Sequence, residues 1–289
     1  MKKRLLWVVV MSPALHAAAQ HGHRSAATQG GIANHFPGLM AGILLFLLTE
    51  PAILYGTFKT WFRDPNHPTP PSPERFFHAA VFSFFAMVFT GAVLTFTFSG
   101  VDVGDSPLIA FYGFNNVCVV FDSPPATYIC PVYWFFVAYL IGRYAVEDTK
   151  RLMQLRNIGA RQKALCYGVN VFLVMSVAMF FITLSISPTV DVIGHTAPFM
   201  FLILTMPAVF LMHHFQHEHR SSLLTAALAV YIASACANLA FDIYAFSSGS
   251  HVPPAIAQTT DILWMLCTVS APFVMPAPVV KEQFAATGV

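Results

Sequence analysis

Residues 165–187 read LCYGVNVFLVMSVAMFFITLSIS, an apolar run without a charged side chain. The hydrocarbon core of a bilayer is about 30 Å thick and requires about 20 such residues in a helix. This run therefore predicts one membrane-crossing helix. Six further runs of the same kind cover residues 38–58, 77–98, 127–146, 193–213, 223–246 and 261–280. All seven are continuously apolar rather than alternating, which argues for helices and against a membrane β-barrel.

The composition supports the same fold class. Hydrophobic residues make up 56% of the 289 residues and charged residues only 10%, whereas soluble domains contain about 25% charged residues. The mean hydropathy is +0.64 and the formal net charge is +2. These values exclude a soluble globular enzyme, a disordered chain and a nucleic-acid binder. We predict an all-α, polytopic bundle of seven transmembrane helices in a lipid bilayer.

The connections between the runs predict the orientation of the chain. Lysine and arginine concentrate in the short cytosolic loops of membrane proteins. Loops 99–126, 188–192 and 247–260 contain neither residue, and the first two contain aspartates instead. The alternate loops, the helix ends beside them and the tail contain Lys59, Arg63, Arg75, Arg143, Lys150, Arg151, Arg156, Arg161, Lys163, Arg220 and Lys281. This asymmetry predicts an N-terminus outside and a C-terminus in the cytosol.

The first residues resemble a signal for membrane insertion. Residues 1–4 are basic after the initial methionine, residues 5–11 are apolar, and residues 17–19 are all alanine. That order is typical of a cleavable signal peptide, although an uncleaved amphipathic start is the alternative. The predicted organisation is a signal peptide over 1–19, an extracytoplasmic segment over 20–37, the membrane domain over 38–281 and a cytosolic tail over 282–289. Insertion would follow the secretory route or lead to a bacterial inner membrane.

Ionisable and amide side chains inside the apolar runs are the first candidates for a site. Such groups are costly in a membrane and mark ligand or ion pathways. Glu50 lies in the first run and precedes Pro51, which breaks helical hydrogen bonding. The five candidate ligand-binding residues are Glu50, His195, Asn238, Asp242 and Asp261, which we expect to line one cavity in the outer half of the bundle. For Glu50, the alternative is a protonated side chain that hydrogen-bonds to a neighbouring helix. Asn238 and Asp242 could simply form hydrogen bonds between helices. Asp261 could be an acidic residue at a helix start, and His195 a solvated histidine at a helix boundary.

A histidine cluster ends the fifth run. His213 and His217 are four residues apart and share one face of a continuing helix, a spacing that can hold a metal ion. The candidate metal ligands are His78, His213, His214, His217 and His219. A haem would need two histidines from separate helices, such as His78 with His213 or His214. The alternative is a pH-sensitive polar collar at the membrane interface, so the cofactor stays open between a metal, a haem and none.

The cysteines suggest one covalent link. Cys118 lies in the apolar outer loop 99–126, which we expect to fold back over the bundle or onto the membrane interface. Cys130 lies near the outer end of the third run, so that both thiols would be on the oxidising side. We therefore predict a disulfide between Cys118 and Cys130. The other three cysteines lie in apolar runs and are expected to act as small apolar side chains.

Three functional classes remain. The preferred one is a transporter or channel-like protein that binds or conducts a small molecule or ion. The second is a metal- or haem-dependent membrane enzyme, and the third is an accessory subunit that contacts partners in a membrane complex. A retinal protein is excluded because no lysine lies inside an apolar run. A voltage sensor is excluded because no run contains an arginine ladder.

Overall fold

The computed structural model describes residues 35–64, 71–154, 158–216 and 222–274. Their regular structure is entirely helical. The predicted signal peptide over 1–19 and the cytosolic tail over 282–289 lie outside these ranges. The α-helices are α1 (Phe36–Arg63), α2 (Pro73–Phe98), α3 (Pro107–Tyr112), α4 (Ala126–Gln154), α5 (Ala160–Thr183), α6 (Val192–Gln216), α7 (Ser222–Ser248) and α8 (Pro254–Val274).

Six of these helices are long and apolar enough to cross a membrane: α1, α2, α4, α5, α6 and α7. The chain therefore has the architecture of a helical, multi-pass membrane protein. Helix α8 is not among the six. It begins at Pro254 rather than at the predicted Asp261, and the added turns contain Gln258, Thr259 and Thr260. The last part of the seventh predicted run, residues 275–280, lies outside the described residues.

The long helices form a closed circuit of neighbours. Helix α2 packs on α4, α4 on α5, α5 on α6, α6 on α7, α7 on α8, and α8 returns to α2. Helix α1 lies outside this circuit against α2 and α4. Most of its apolar side chains are exposed, as expected for a helix that faces lipid. The bundle thus has an interior bounded by six helices.

Aromatic rings fill that interior. Trp134 of α4 contacts Phe180 of α5 with ring centroids 4.2 Å apart. Phe199 of α6 then lies 5.8 Å from both Phe180 and Trp264 of α8. The indole N–H of Trp134 donates to the carbonyl of Val177, so its one polar atom is satisfied within the core. Such contacts stabilise a bundle by close packing, since lipid is as apolar as the side chains.

The two ends of the bundle differ in charge. We call the end where α1 finishes and α2 begins the basic end, because it contains Arg63, Lys150 and Lys163. We call the opposite end, where α2 and α7 finish, the acidic end. Its connections contain aspartates and neither lysine nor arginine. The structure does not include a membrane, so which end faces the cytosol stays a prediction.

The connection between α2 and α4 packs into the acidic end, which confirms the expectation that this apolar loop folds over the bundle. Cys118 and Leu108 are fully buried in it. The hydroxyl of Thr95 on α2 donates to the carbonyl of Val120 at 2.9 Å. Gly91 makes this approach possible, because a Cβ at that position would lie 2.8 Å from the Val120 carbonyl oxygen. The loop thereby forms part of the wall at the acidic end of the bundle.

Candidate functional site

Four polar side chains converge on one narrow cavity at the acidic end. Asn238 and Asp242 come from α7, Asp261 from α8 and Asn116 from the loop. The remaining wall is apolar and consists of Phe114, Phe199, Ile203, Phe241 and Ala257. Three residues that the sequence singled out, Asn238, Asp242 and Asp261, are therefore neighbours. The sequence analysis missed Asn116, whose only sequence signal was its place in an unusually apolar loop.

Local structure explains how the loop reaches this cavity. Asn116 caps the 3₁₀ turn Val117–Phe121, where its side-chain oxygen accepts the N–H of Cys118 at 2.9 Å. The backbone N–H of Val117 donates to the carboxylate of Asp261. Gly113 ends α3 with a φ of +80°, a conformation that suits glycine. The turn is thus held against α8 by a carboxylate that also faces the cavity.

The cavity has hydrogen-bonding capacity that the protein does not use. Asn116 and Asn238 are 8% and 7% exposed. Asn238 donates only to the carbonyl of Thr260, at 3.4 Å. Within the described part of the chain, no hydrogen bond reaches the amide nitrogen of Asn116 or the amide oxygen of Asn238. Buried polar atoms are normally paired, so these two atoms and the carboxylates are suited to a polar ligand or ordered water.

The cavity contains two carboxyl groups, and no basic side chain among the described residues lines it. Across the described ranges, no lysine, arginine or histidine forms an ion pair with Asp242 or Asp261. The connections of the acidic end also contain no lysine or arginine in the sequence. Two adjacent carboxylates repel each other unless a cation or a proton lies between them. The arrangement favours a positively charged ligand.

His195, the fourth predicted residue, lies at the same end but does not line the cavity. Its Nε2 is 3.4 Å from Asp122 Oδ1, and its Nδ1 is 2.6 Å from the carbonyl oxygen of Ile186. Because a carbonyl only accepts, Nδ1 carries the proton and Nε2 faces Asp122. Burial raises the pKa of the Asp122 carboxyl well above its usual range. Asp122, which the sequence did not single out, faces His195 and does not line the cavity.

Glu50 lies apart from the cavity in the middle of α1. It is 2% exposed and accepts a hydrogen bond from the Ser83 hydroxyl of α2 at 2.9 Å. Its Oε1 has no hydrogen-bond partner among the residues that the structure describes. Beside it, Thr49 and Thr90 both contact the Tyr133 hydroxyl of α4, at 2.8 Å and 2.9 Å. Glu50 therefore belongs to a separate polar cluster between α1, α2 and α4.

The basic end contains a buried ion network that the sequence analysis missed. Arg151 of α4 pairs with Glu74 of α2 and with Asp148 one turn earlier. Asn170 of α5 donates to Asp148 at 2.8 Å. His213 Nδ1 lies 3.6 Å from Glu74 Oε1. In the sequence, Glu74 and Asp148 lie next to basic loops. That position is typical of ordinary residues at the membrane interface and gives no sign of a buried network.

The predicted histidine site is only partly described. His78, His213 and His214 lie at the basic end, and His213 is engaged with Glu74. His217 and His219 lie outside the described residues. Within the described ranges, no group of three or more histidine, cysteine, aspartate or glutamate side chains could hold a metal ion. The metal or haem site therefore stays a prediction.

The predicted disulfide is not formed in the structure. Cys118 and Cys130 are both buried as free thiols. Burial raises the pKa of the Cys118 thiol, and the nearby carboxylates of Asp122, Asp261 and Asp242 raise it further. The bridge stays a prediction that mass spectrometry without reductant tests directly.

Comparison with known proteins gives no further guide to this site. No known protein family, characterised protein or solved structure matches the chain.

Proposed function

We propose that the protein binds a small cation in the acidic-end cavity and acts as a transporter or channel-like membrane protein. The observation that carries the proposal is the convergence of Asp242, Asp261, Asn116 and Asn238 on a cavity that no basic side chain of the described residues lines. In the proposed topology α8 completes seven spans, the acidic end faces outward and the C-terminus is cytosolic. The uneven distribution of lysine and arginine supports that orientation.

The chemistry of the cavity wall favours a cation over a neutral solute or an anion. Carboxylates in a partly dry cavity attract positive charge more strongly than they do in water. Phe114, Phe199 and Phe241 add aromatic surface, which also interacts favourably with cations when a ring faces them. The unpaired amide oxygen of Asn238 supplies a further acceptor. An anion would lie beside two carboxyl groups, and no basic side chain of the described residues lines the cavity to offset them.

We expect methylammonium to bind saturably to the purified protein in lipid nanodiscs, as measured by saturation-transfer NMR. Asp242→Asn and Asp261→Asn should each weaken binding about tenfold or more, because a hydrogen bond to a charged group contributes about 1.5–3 kcal/mol. Asp105→Asn is the matched control, since Asp105 is an exposed aspartate at the same end. Unchanged affinity in both cavity variants, or equal binding of acetate, would contradict the proposal.

We propose that Glu50 couples ligand binding to the transport step and does not contact the ligand, because it lies in the separate polar cluster between α1, α2 and α4. Glu50→Gln keeps the hydrogen bond from Ser83 but cannot exchange a proton. We expect it to leave methylammonium affinity unchanged and to lower uptake into proteoliposomes about tenfold, within the usual range of coupling energies. Ser83→Ala is the matched control for the hydrogen bond alone. Wild-type uptake by Glu50→Gln would remove Glu50 from the mechanism.

A further inference from the structure

A second, larger cavity opens beside the cation site. It has a volume of about 330 Å³ and lies between α2, α8 and the start of the 3₁₀ turn Val117–Phe121. Asn116 and Asp261 line both cavities, so the two spaces adjoin the same side chains. The volume of the larger cavity falls within the range of small-molecule sites, about 300–1,000 Å³. The cation site therefore has beside it a space that a bare ion would leave empty.

The larger cavity is polar at one end only. Asn115, Asn116 and Asp261 form the polar end, and Phe85 of α2 contributes to the apolar part. Val117 also lines the apolar part, and helix α8 supplies the rest of the wall through Ile262, Met265, Leu266 and Val269. These four residues follow the spacing of one helix face. We call this wall, together with Phe85, the apolar groove.

The apolar groove opens toward the side of the bundle. Ile262 and Leu266 are more than half exposed, although they lie on a helix that packs against α2 and α7. At this depth their exposed surface would face lipid chains. A ligand could therefore enter from the bilayer with its apolar part first aligned along α8.

The polar end has an acceptor set that fits an ammonium group. Asn115 donates to the carbonyl of Val103 at 2.8 Å, and its buried Oδ1 has no hydrogen-bond partner among the described residues. Asp261 adds a carboxyl group that forms no ion pair with a basic side chain of the described residues. An ammonium group has three N–H donors and no acceptor, which suits a carboxylate flanked by asparagine side chains. A fatty acid would instead bring a second anion next to Asp261.

We propose that the ligand is a single-chain amphipathic amine taken from the bilayer, with its ammonium group at Asp261 and its hydrocarbon chain in the apolar groove. This inference rests on the proposed cation site and specifies its substrate class. Charge complementarity identifies the head group, and the uniformly apolar wall beyond it identifies the tail. The volume of the groove accommodates one chain.

The test compares octylammonium with methylammonium in the full-length protein in nanodiscs. Met265→Trp fills the apolar groove and should weaken octylammonium binding about tenfold, because the larger side chain occupies the space of the alkyl chain. Methylammonium affinity should stay unchanged, since its site lies at the polar end. Leu263→Trp is the matched control, because Leu263 is an exposed residue of α8 that does not line the groove.

A second variant and a labelling experiment make the result independent of whether Met265→Trp folds. Val269→Ala enlarges the groove, so the alkylammonium chain with the tightest binding should lengthen by about one or two carbons. An octylammonium analogue with a terminal diazirine should label peptides that contain Phe85 or Val269, and excess octylammonium should prevent the labelling.

The outcomes separate the two proposals. Loss of octylammonium binding in Met265→Trp, with methylammonium unaffected, supports the amphipathic ligand. If Asp261→Asn weakens both amines while no groove variant or label distinguishes them, the amphipathic ligand is wrong and the cation site stands. If neither amine responds to Asp261→Asn, both proposals are wrong.

Discussion

Replacing Arg151 with leucine is expected to lower the free energy of unfolding by about 3–5 kcal/mol, the usual effect of breaking a buried ion pair. Arg151 bridges Glu74 and Asp148, which are both fully buried. Without the guanidinium, two carboxylates would remain buried in the bundle beside Asn170 and His213. The penalty comes mainly from these uncompensated charges. Reversible unfolding by SDS in mixed micelles measures it.

Arg143→Leu is the matched control on the same helix. Arg143 is partly exposed and pairs with Glu147 one turn away, so its loss should reduce stability by about 0.3–0.5 kcal/mol. A triple variant, Glu74→Leu with Asp148→Leu and Arg151→Leu, should recover much of the loss, since an apolar replacement of a whole buried network is often neutral. Equal stability of Arg151→Leu and Arg143→Leu would show that the network contributes little.

The sequence was sufficient to predict the helical membrane architecture because length and apolar content act locally. A run such as residues 165–187 has few ways to satisfy its backbone other than a membrane helix. The buried outer loop was also predictable, because its aromatic and aliphatic residues are too numerous for a solvated connection. The helix ends predicted from the sequence were less accurate. Helix α5 ends at Thr183, before residue 187, and α8 begins at Pro254, earlier than its apolar run suggested.

The sites were predictable only in part, because they depend on how helices distant in sequence are rotated against one another. Asn238 and Asp242 share a face of α7 by spacing alone, and their meeting with Asp261 follows from the α7–α8 hairpin. Glu50 and His195 have no such local link to the cavity. Glu74 and Arg151 are 77 residues apart in the chain, and nothing in either neighbourhood indicates that they pair.

Replacing Trp264 with alanine is expected to lower the free energy of unfolding by about 3–5 kcal/mol. The side chain is fully buried and contacts Phe199 of α6 and Tyr231 of α7. Its indole N–H donates to the carbonyl of Ile203 at 3.2 Å, so one residue joins α8 to two neighbours. Loss of these contacts leaves a void that lipid chains do not fill. Unfolding in SDS mixed micelles measures the effect, with the more exposed Trp61→Ala as control.

The Trp264→Ala variant also tests whether the packing of α8 affects ligand binding at the proposed site. Trp264 follows Asp261 by three residues, so a shift of α8 moves that carboxylate relative to Asp242 on α7. We expect Trp264→Ala to weaken methylammonium binding, whereas Trp264→Phe should retain binding because it keeps the ring packing and loses only the hydrogen bond to Ile203. If Trp264→Ala unfolds more easily yet binds with wild-type affinity, the position of Asp261 does not depend on this anchor, and the Val117 N–H remains the contact that holds it.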